Sequence, residues 1–258
     1  MRGVTHGLSA GVAYAAAGTY VWHQALPILA TGTALCIGAG VLSDIDTFGS
    51  CVARSFGWVT ELLALAVHKL AGGHREGTHS AIGDGVCALI AVLAIGLEGV
   101  HFRLHAGPVD RELSVGRIVV ALYLALLFGA GMKALAGMKI LRAVPVIRAI
   151  RRDHYREVVA IGAAVAMAWS GWDTGGIAWA ILIGTIVHAL GDDLTKHGTP
   201  WLLPFSDHCF HILPKCMRIS TGHFTERRII APACVLALGF LALHAVSPGI
   251  TAHALALL

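Results

Sequence analysis

"VGRIVVALYLALLFGAGMKALA", residues 115–136, carries one charge near each end and none between. A bilayer core of about 30 Å needs about 20 apolar residues in a helix, so this stretch reads as a membrane span. "AIGDGVCALIAVLAIGLEGVH" (81–101) and "IIAPACVLALGFLALHAV" (229–246) read the same way. Two further regions have the pattern of tight helical hairpins, 8–22 with 25–42 and 157–171 with 176–190, joined by "HQAL" and "WDTGG". Their first arms are rich in Ala and Gly, which suits close helix packing in lipid. Residues 57–71 ("GWVTELLALAVHKLA") place Glu61, His68 and Lys69 among apolar positions and read as an interfacial helix.

Composition agrees with this pattern. The chain of 258 residues is 56% hydrophobic and 13% charged, with a mean hydropathy of +0.73. A soluble domain carries roughly 25% charged residues. The expected fold is therefore all-α: one polytopic membrane helical bundle over 1–258, with about seven spans. No charged segment followed by a short apolar run and a small-residue cleavage site opens the chain, so no cleaved signal is expected.

Sidedness follows from lysine and arginine bias. The strongly basic "KILRAVPVIRAIRRDHYRE" (139–157) is expected to be cytoplasmic. Loops 1–7, 43–80, 137–156 and 191–228 then share that side. With Lys133 at the inner end of its span, they hold sixteen of the nineteen Lys and Arg residues; Arg103, Arg111 and Arg117 fall opposite. The expected placement is the inner membrane, multi-pass, with a cytoplasmic N-terminus.

That topology gathers every unusual polar cluster onto one face: "THG" (5–7), "LSDIDTFGS" (42–50), "HREGTHS" (74–80), "HALGDDLTKHGTPWLLPFS" (188–206) and "ISTGHFTE" (219–226). Fifteen histidines is a high count, and histidine is the commonest metal ligand. His188 and Asp192, four apart at a helix end, lie on one helical face and can share an ion. Ionisable groups at membrane depth are costly and usually functional. Asp44 and Asp46 follow an apolar helix, where capping is the ordinary reading; beside histidines on the same face, metal binding gains ground, Asp44 first. His79 and His74 stand before the 81–101 span, and His6 before the first hairpin. Arg75 reads equally as a holder of an anionic substrate oxygen or as one more cytoplasmic positive charge.

The candidate metal ligands are thus His6, Asp44, His74, His79, His188 and Asp192. Asp46 and Glu226 are candidate general bases. A mixed His and carboxylate set without paired cysteines suits zinc, one ion or two, with manganese or iron as alternatives. Such an ion activates water and polarises a phosphoryl or carbonyl oxygen. Cys36, Cys87 and Cys234 lie in apolar runs, Cys209 and Cys216 flank His211, and no disulfide is expected.

At these motifs the sequence resembles the bacterial inner-membrane metal-dependent hydrolases, also described as LexA-binding, inner-membrane-associated hydrolases. The family's Thr-His, Leu-x-Pro-Asp-x-Asp-His, His-Arg-Gly-x-Thr-His-Ser, Ser-His-x-x-x-Asp and Thr-Gly-Ser…Glu elements correspond in order to Thr5-His6, "LSDIDT", "HREGTHS", "VHALGDDLTKHGTPWLLPF" and "STGHFTE", over about residues 5–226. Ser43 stands for the proline, Thr47 for the second segment's histidine, Glu76 for a glycine and His223 for a serine. The order His6, Asp44, His79, His188, Asp192 is also similar, more distantly, to zinc-dependent phospholipase C, from which Met1-Arg2 departs. The resemblance implies a metal-dependent hydrolase, and the phospholipase likeness favours a phosphoester or other ester; a site opening at headgroup depth makes membrane lipid the expected partner and a candidate substrate.

Two other readings stay open. One is a non-catalytic membrane protein that binds a cytoplasmic protein partner and carries a structural metal, using the 139–156 and 207–228 segments. The other is a metal or proton transporter, for which only Asp84, Glu98 and Lys133 approach the bilayer midplane. Nucleic acid is not an expected partner, because the net charge of +4 is explained by sidedness.

Overall fold

The computed structural model describes residues 1–106, 109–138, 152–170 and 175–247. Most of the basic segment, 139–151, the turn at 171–174 and the tail 248–258 with His253 lie outside the described residues. Eight α-helices follow in order: α1 Gly3–Tyr20, α2 Leu26–Ala39, α3 Trp58–Ala71, α4 Ala81–Gly96, α5 Val115–Ala136, α6 Asp153–Trp169, α7 Gly175–Asp193 and α8 Ala231–Val246.

Local chemistry sets several of their ends. Pro27 opens α2 at its first turn, where its missing N–H is no loss. The Ser80 hydroxyl accepts the Gly83 amide at 3.1 Å and caps α4. Ser114 caps α5 in the same way through Arg117 N. Gly72, at φ +89°, closes α3 in the left-handed conformation that glycine adopts freely. Past α2 the chain tightens into a 3-10 turn, Leu42–Asp46.

Among the described residues, five stretches are long and apolar enough to cross a membrane: Leu26–Asp46, Ala81–Gly99, Val115–Ala136, Gly176–Asp193 and Glu226–Val246. α1 and α6, the first arms of the two expected hairpins, fall outside that set. α1 is diluted by Gly, Ser, Thr and His, and α6 begins on the polar run "DHYRE". α1 is instead central, packing on α2, α7 and α8, while α2 also meets α5 and α7. The short α3 rests on the 3-10 turn, with Trp58, Val59, Leu62 and Leu70 on its exposed side.

Between α4 and α5, sequence reading left a loop. The chain instead forms an antiparallel hairpin, β1 His101–Ala106 with β2 Val109–Ser114, in the register His101↔Ser114. Phe102 and Leu104 alternate with polar neighbours, the two-residue period of a strand. The expected 81–101 span is accordingly shorter: α4 stops at Gly96, followed by a single 3-10 turn to Gly99.

Close helix approach depends on glycine at two crossings. A Cβ on Gly38 would meet the backbone of Leu127 in α5, and one on Gly184 of α7 would meet Ala39 of α2. Backbone cannot step aside as a flexible side chain does. Gly38→Ala is expected to lower stability by about 1–3 kcal/mol, read as a lower thermal midpoint in detergent. Gly85→Ala, with open space around its site, should change it by less than about 0.5 kcal/mol.

Candidate metal centre

Four segments converge where the 3-10 turn, the start of α4, the end of α7 and the start of α1 meet. His6, Asp46, His79, His188 and Asp192 are all buried there, and each sits where its local structure holds it. The Ser80 cap fixes the start of α4 and so holds His79 just outside the helix. The 3-10 turn sends Asp44 toward His79 and His188, and Asp46 toward His74.

Asp192 is the hub. Its Oδ1 accepts from the Met1 amino group at 2.5 Å and lies 3.3 Å from His6 Nε2. Its Oδ2 lies 3.3 Å from Arg75 Nη2 and 3.9 Å from both His79 Nε2 and His188 Nε2. The helical spacing of His188 and Asp192 therefore does bring both onto one site. The His6 ring stacks on His188 with centroids 3.8 Å apart. Gly191 makes that possible, since a Cβ there would fall 2.9 Å from His6 Nδ1. Gly191→Ala is expected to push His6 aside and weaken zinc binding roughly tenfold, measured by titration against wild type.

Proton accounting defines the centre. His188 Nδ1–H donates to the Gly40 carbonyl at 2.8 Å, so Nε2 of the neutral ring carries a lone pair. The Thr78 hydroxyl donates its proton to Asp46 Oδ2 at 2.6 Å. Its oxygen then accepts from His79 Nδ1–H at 3.0 Å, which turns His79 Nε2 toward His188. His79 Nε2 and His188 Nε2 approach to 3.2 Å, a separation that either a proton held between them or a cation beside them satisfies. Asp44 Oδ1, 3.7 and 3.8 Å from the same two nitrogens, adds negative charge. An outer hydrogen bond from each ligand histidine to an oxygen is the usual support of a metal site.

Asp46 does a different job. Its oxygens accept from Thr47 Oγ1 at 3.0 Å, His74 Nδ1 at 2.9 Å, the Arg75 amide at 3.2 Å and Thr78 Oγ1. Its own carbonyl takes the His68 ring at 2.9 Å. Arg75 is thereby held at φ +64°, with a buried Nη1 that has no hydrogen-bond partner. The hydrogen bond from Asp46 holds the half-exposed His74 imidazole above its ordinary range. Glu226 sits apart, fully buried, accepting from Arg2 N and Gly222 N at 2.5 Å each.

The ligating atoms fall into two groups, each within 4.8 Å: His6, His188 and Asp192, and Asp44, His74 and His79. All six residues expected as ligands are brought together. Arg75 joins them, Asp46 lies directly behind, and Glu226 steadies the N-terminal segment. Sequence reading missed the Gly40 carbonyl, Thr78, Gly191 and the Met1 amino group. Only Thr78, inside "HREGTHS", had a signal; the others take part through backbone or shape.

Among the described residues, eight helices, five of them apolar and long enough to cross a bilayer, define a helical membrane protein with a buried cluster of histidines and carboxylates that could hold a metal ion. Over residues 1–141 the chain matches the family described as YdjM inner membrane protein, and it belongs to that family. The matched stretch includes His6, Asp44, Asp46, His74, Arg75 and His79, and ends before His188 and Asp192. No curated protein and no solved structure matches the chain.

Proposed function

We propose that the chain is a multi-pass inner-membrane metallohydrolase, its N-terminus and site on the cytoplasmic side, acting on a phosphoester or other ester. The observation that carries this reading is the convergence of His79 Nε2 and His188 Nε2, 3.2 Å apart, between carboxylates. The donor set fits zinc, with manganese next. His6, His188 and Asp192 would hold one ion, and Asp44, His74 and His79 a second. A bound ion of this kind lowers the pKa of water and polarises a phosphoryl oxygen.

The chain's own groups supply the rest. Arg75 anchors on Asp192 through Nη2 and keeps Nη1 for an anionic substrate oxygen. Asp44, 20% exposed, is the carboxylate of the cluster that reaches solvent, and as a ligand it would face the attacking water. Asp46 and Glu226, their oxygens occupied by several donors, act as positioning groups in this reading. A carboxylate that stabilises its charge through so many hydrogen bonds is a poor proton acceptor.

Metal content of detergent-purified protein tests the proposal. Stoichiometric zinc or manganese in wild type, lost in a folded His188→Ala/Asp192→Ala variant, is the expected result; a phosphoester and lipid substrate screen follows. No bound metal after reconstitution sinks the hydrolase reading and favours a partner-binding membrane protein. Protons compete with metal at His74. Because its Asp46 partner raises the His74 pKa, zinc affinity at the Asp44–His74–His79 group should begin to fall at a higher pH than for an ordinary histidine. Zinc titrations across pH 5–8 (roughly the range over which histidine changes charge) would read this.

A further inference from the structure

Beside the cluster, α3, α4 and α5 enclose a cavity of about 750 Å³, within the roughly 300–1,000 Å³ of small-molecule sites. Its walls are almost wholly apolar: Leu63 and Val67 from α3, Val86 and Ile90 from α4, Tyr123 and Leu126 from α5. Of the polar groups along it, Glu76 is exposed to solvent and three others are spent internally. Tyr123 donates to the Cys87 carbonyl at 3.0 Å, Ser80 to Gly77 O at 2.7 Å, and Thr78 to Asp46.

One group is not spent. Ser43, 2% exposed, lines the inner end, and its Oγ has no hydrogen-bond partner. Ser43 and Thr78 there are the chain neighbours of Asp44 and His79, so this end of the cavity lies beside the cluster, whose own side chains are not among its walls. The side walls are exposed outward, Leu63, Val86 and Ile90 lying on the apolar outer faces of α3 and α4. The cavity therefore has one end next to the cluster, an apolar length and an opening toward lipid.

We propose that this cavity holds one hydrocarbon tail of a phosphoester lipid, whose head group lies at the His79–His188 cluster and whose linkage oxygen accepts a hydrogen bond from Ser43. The proposal rests on the metallohydrolase reading for the head group alone. A cavity of this volume between three helices takes one small molecule or one chain rather than the broad face of a partner. An amphiphile with one polar end matches both the shape and the single unspent hydroxyl.

The test uses the full chain in nonionic detergent and a phosphatidic acid carrying a diazirine midway along one tail. After irradiation, peptides from α3 and α4 that include Val67, Val86 and Ile90 are expected to carry the label, and excess unlabelled phosphatidic acid should remove it. Val86→Trp should lose the label and Val86→Ala should keep it, both with unchanged metal content. Ser43→Ala should reduce competition by phosphatidic acid without altering competition by diacylglycerol of the same tails. His188→Ala/Asp192→Ala should keep tail labelling, so a missing metal overturns the hydrolase reading and leaves the groove standing. Label spread evenly over the outer faces of α4 and α8, or indifferent to Val86→Trp, overturns the groove. So does protection of the α3 and α4 peptides by a co-purified protein but not by lipid.

Discussion

Asp192→Asn is expected to weaken zinc binding by at least about 100-fold, beyond the usual 10- to 100-fold effect of an outer-sphere change. The carboxylate meets His6, His79, His188, Arg75 and the Met1 amino group at once. Asparagine keeps the shape and removes the charge. Without metal, the partly exposed Arg75 guanidinium then faces a neutral amide, and losing a hydrogen bond to a charged group in this way costs about 1.5–3 kcal/mol. Zinc titration and thermal unfolding in detergent read the two effects separately. The neighbouring carboxylate is the control: Asp193 accepts Trp201 Nε1 at 2.7 Å and belongs to neither ligand group. Asp193→Asn should retain zinc and cost about 1 kcal/mol. Zinc affinity as in wild type for Asp192→Asn would remove the hub from the metal site.

Arg75→Lys should leave metal content intact and weaken binding of inorganic phosphate to the metal-loaded protein roughly 10- to 100-fold. That is the worth of a hydrogen bond to a charged group, about 1.5–3 kcal/mol. The guanidinium is a rigid fork that reaches Asp192 with one nitrogen and leaves the other unpaired. An ammonium is a point charge that serves one partner well. Arg75→Gly separates charge from backbone. At φ +64° an alanine stays strained by about 1–2 kcal/mol while glycine does not, so Arg75→Gly should lose phosphate binding yet unfold at a higher temperature than Arg75→Ala. Unchanged phosphate affinity in Arg75→Lys would reduce Arg75 to a partner of Asp192 and nothing more.

Legibility in the sequence tracks the range of the interactions. Helix α5 announces itself because twenty-odd apolar residues in a row have few alternatives in water. His188 and Asp192 could be paired on paper because helical geometry fixes residues four apart. The cap in "HREGTHS" is equally local, Ser80 closing the helix while His79 is left free to face inward. The hairpin at 101–114 was missed although its alternation is visible, because six-residue runs next to an apolar span are easily absorbed into it.

The family likeness and the inner-membrane character were determined by the sequence: a string of short motifs in fixed order and a composition that water does not tolerate. Only the tertiary structure decided which atoms meet. The 3.2 Å approach of His79 to His188, the hydrogen bonds that orient the two rings on Thr78 and Gly40, and the different partners of Asp44 and Asp46 join segments up to 148 residues apart. The placement of α1 at the centre is of the same kind. Its own hydropathy is too diluted to mark it, and burial comes from α2, α7 and α8 closing around its small residues. Pattern records what one segment prefers by itself; a site depends on backbone carbonyls, glycine clearances and unspent lone pairs that exist only once the segments pack.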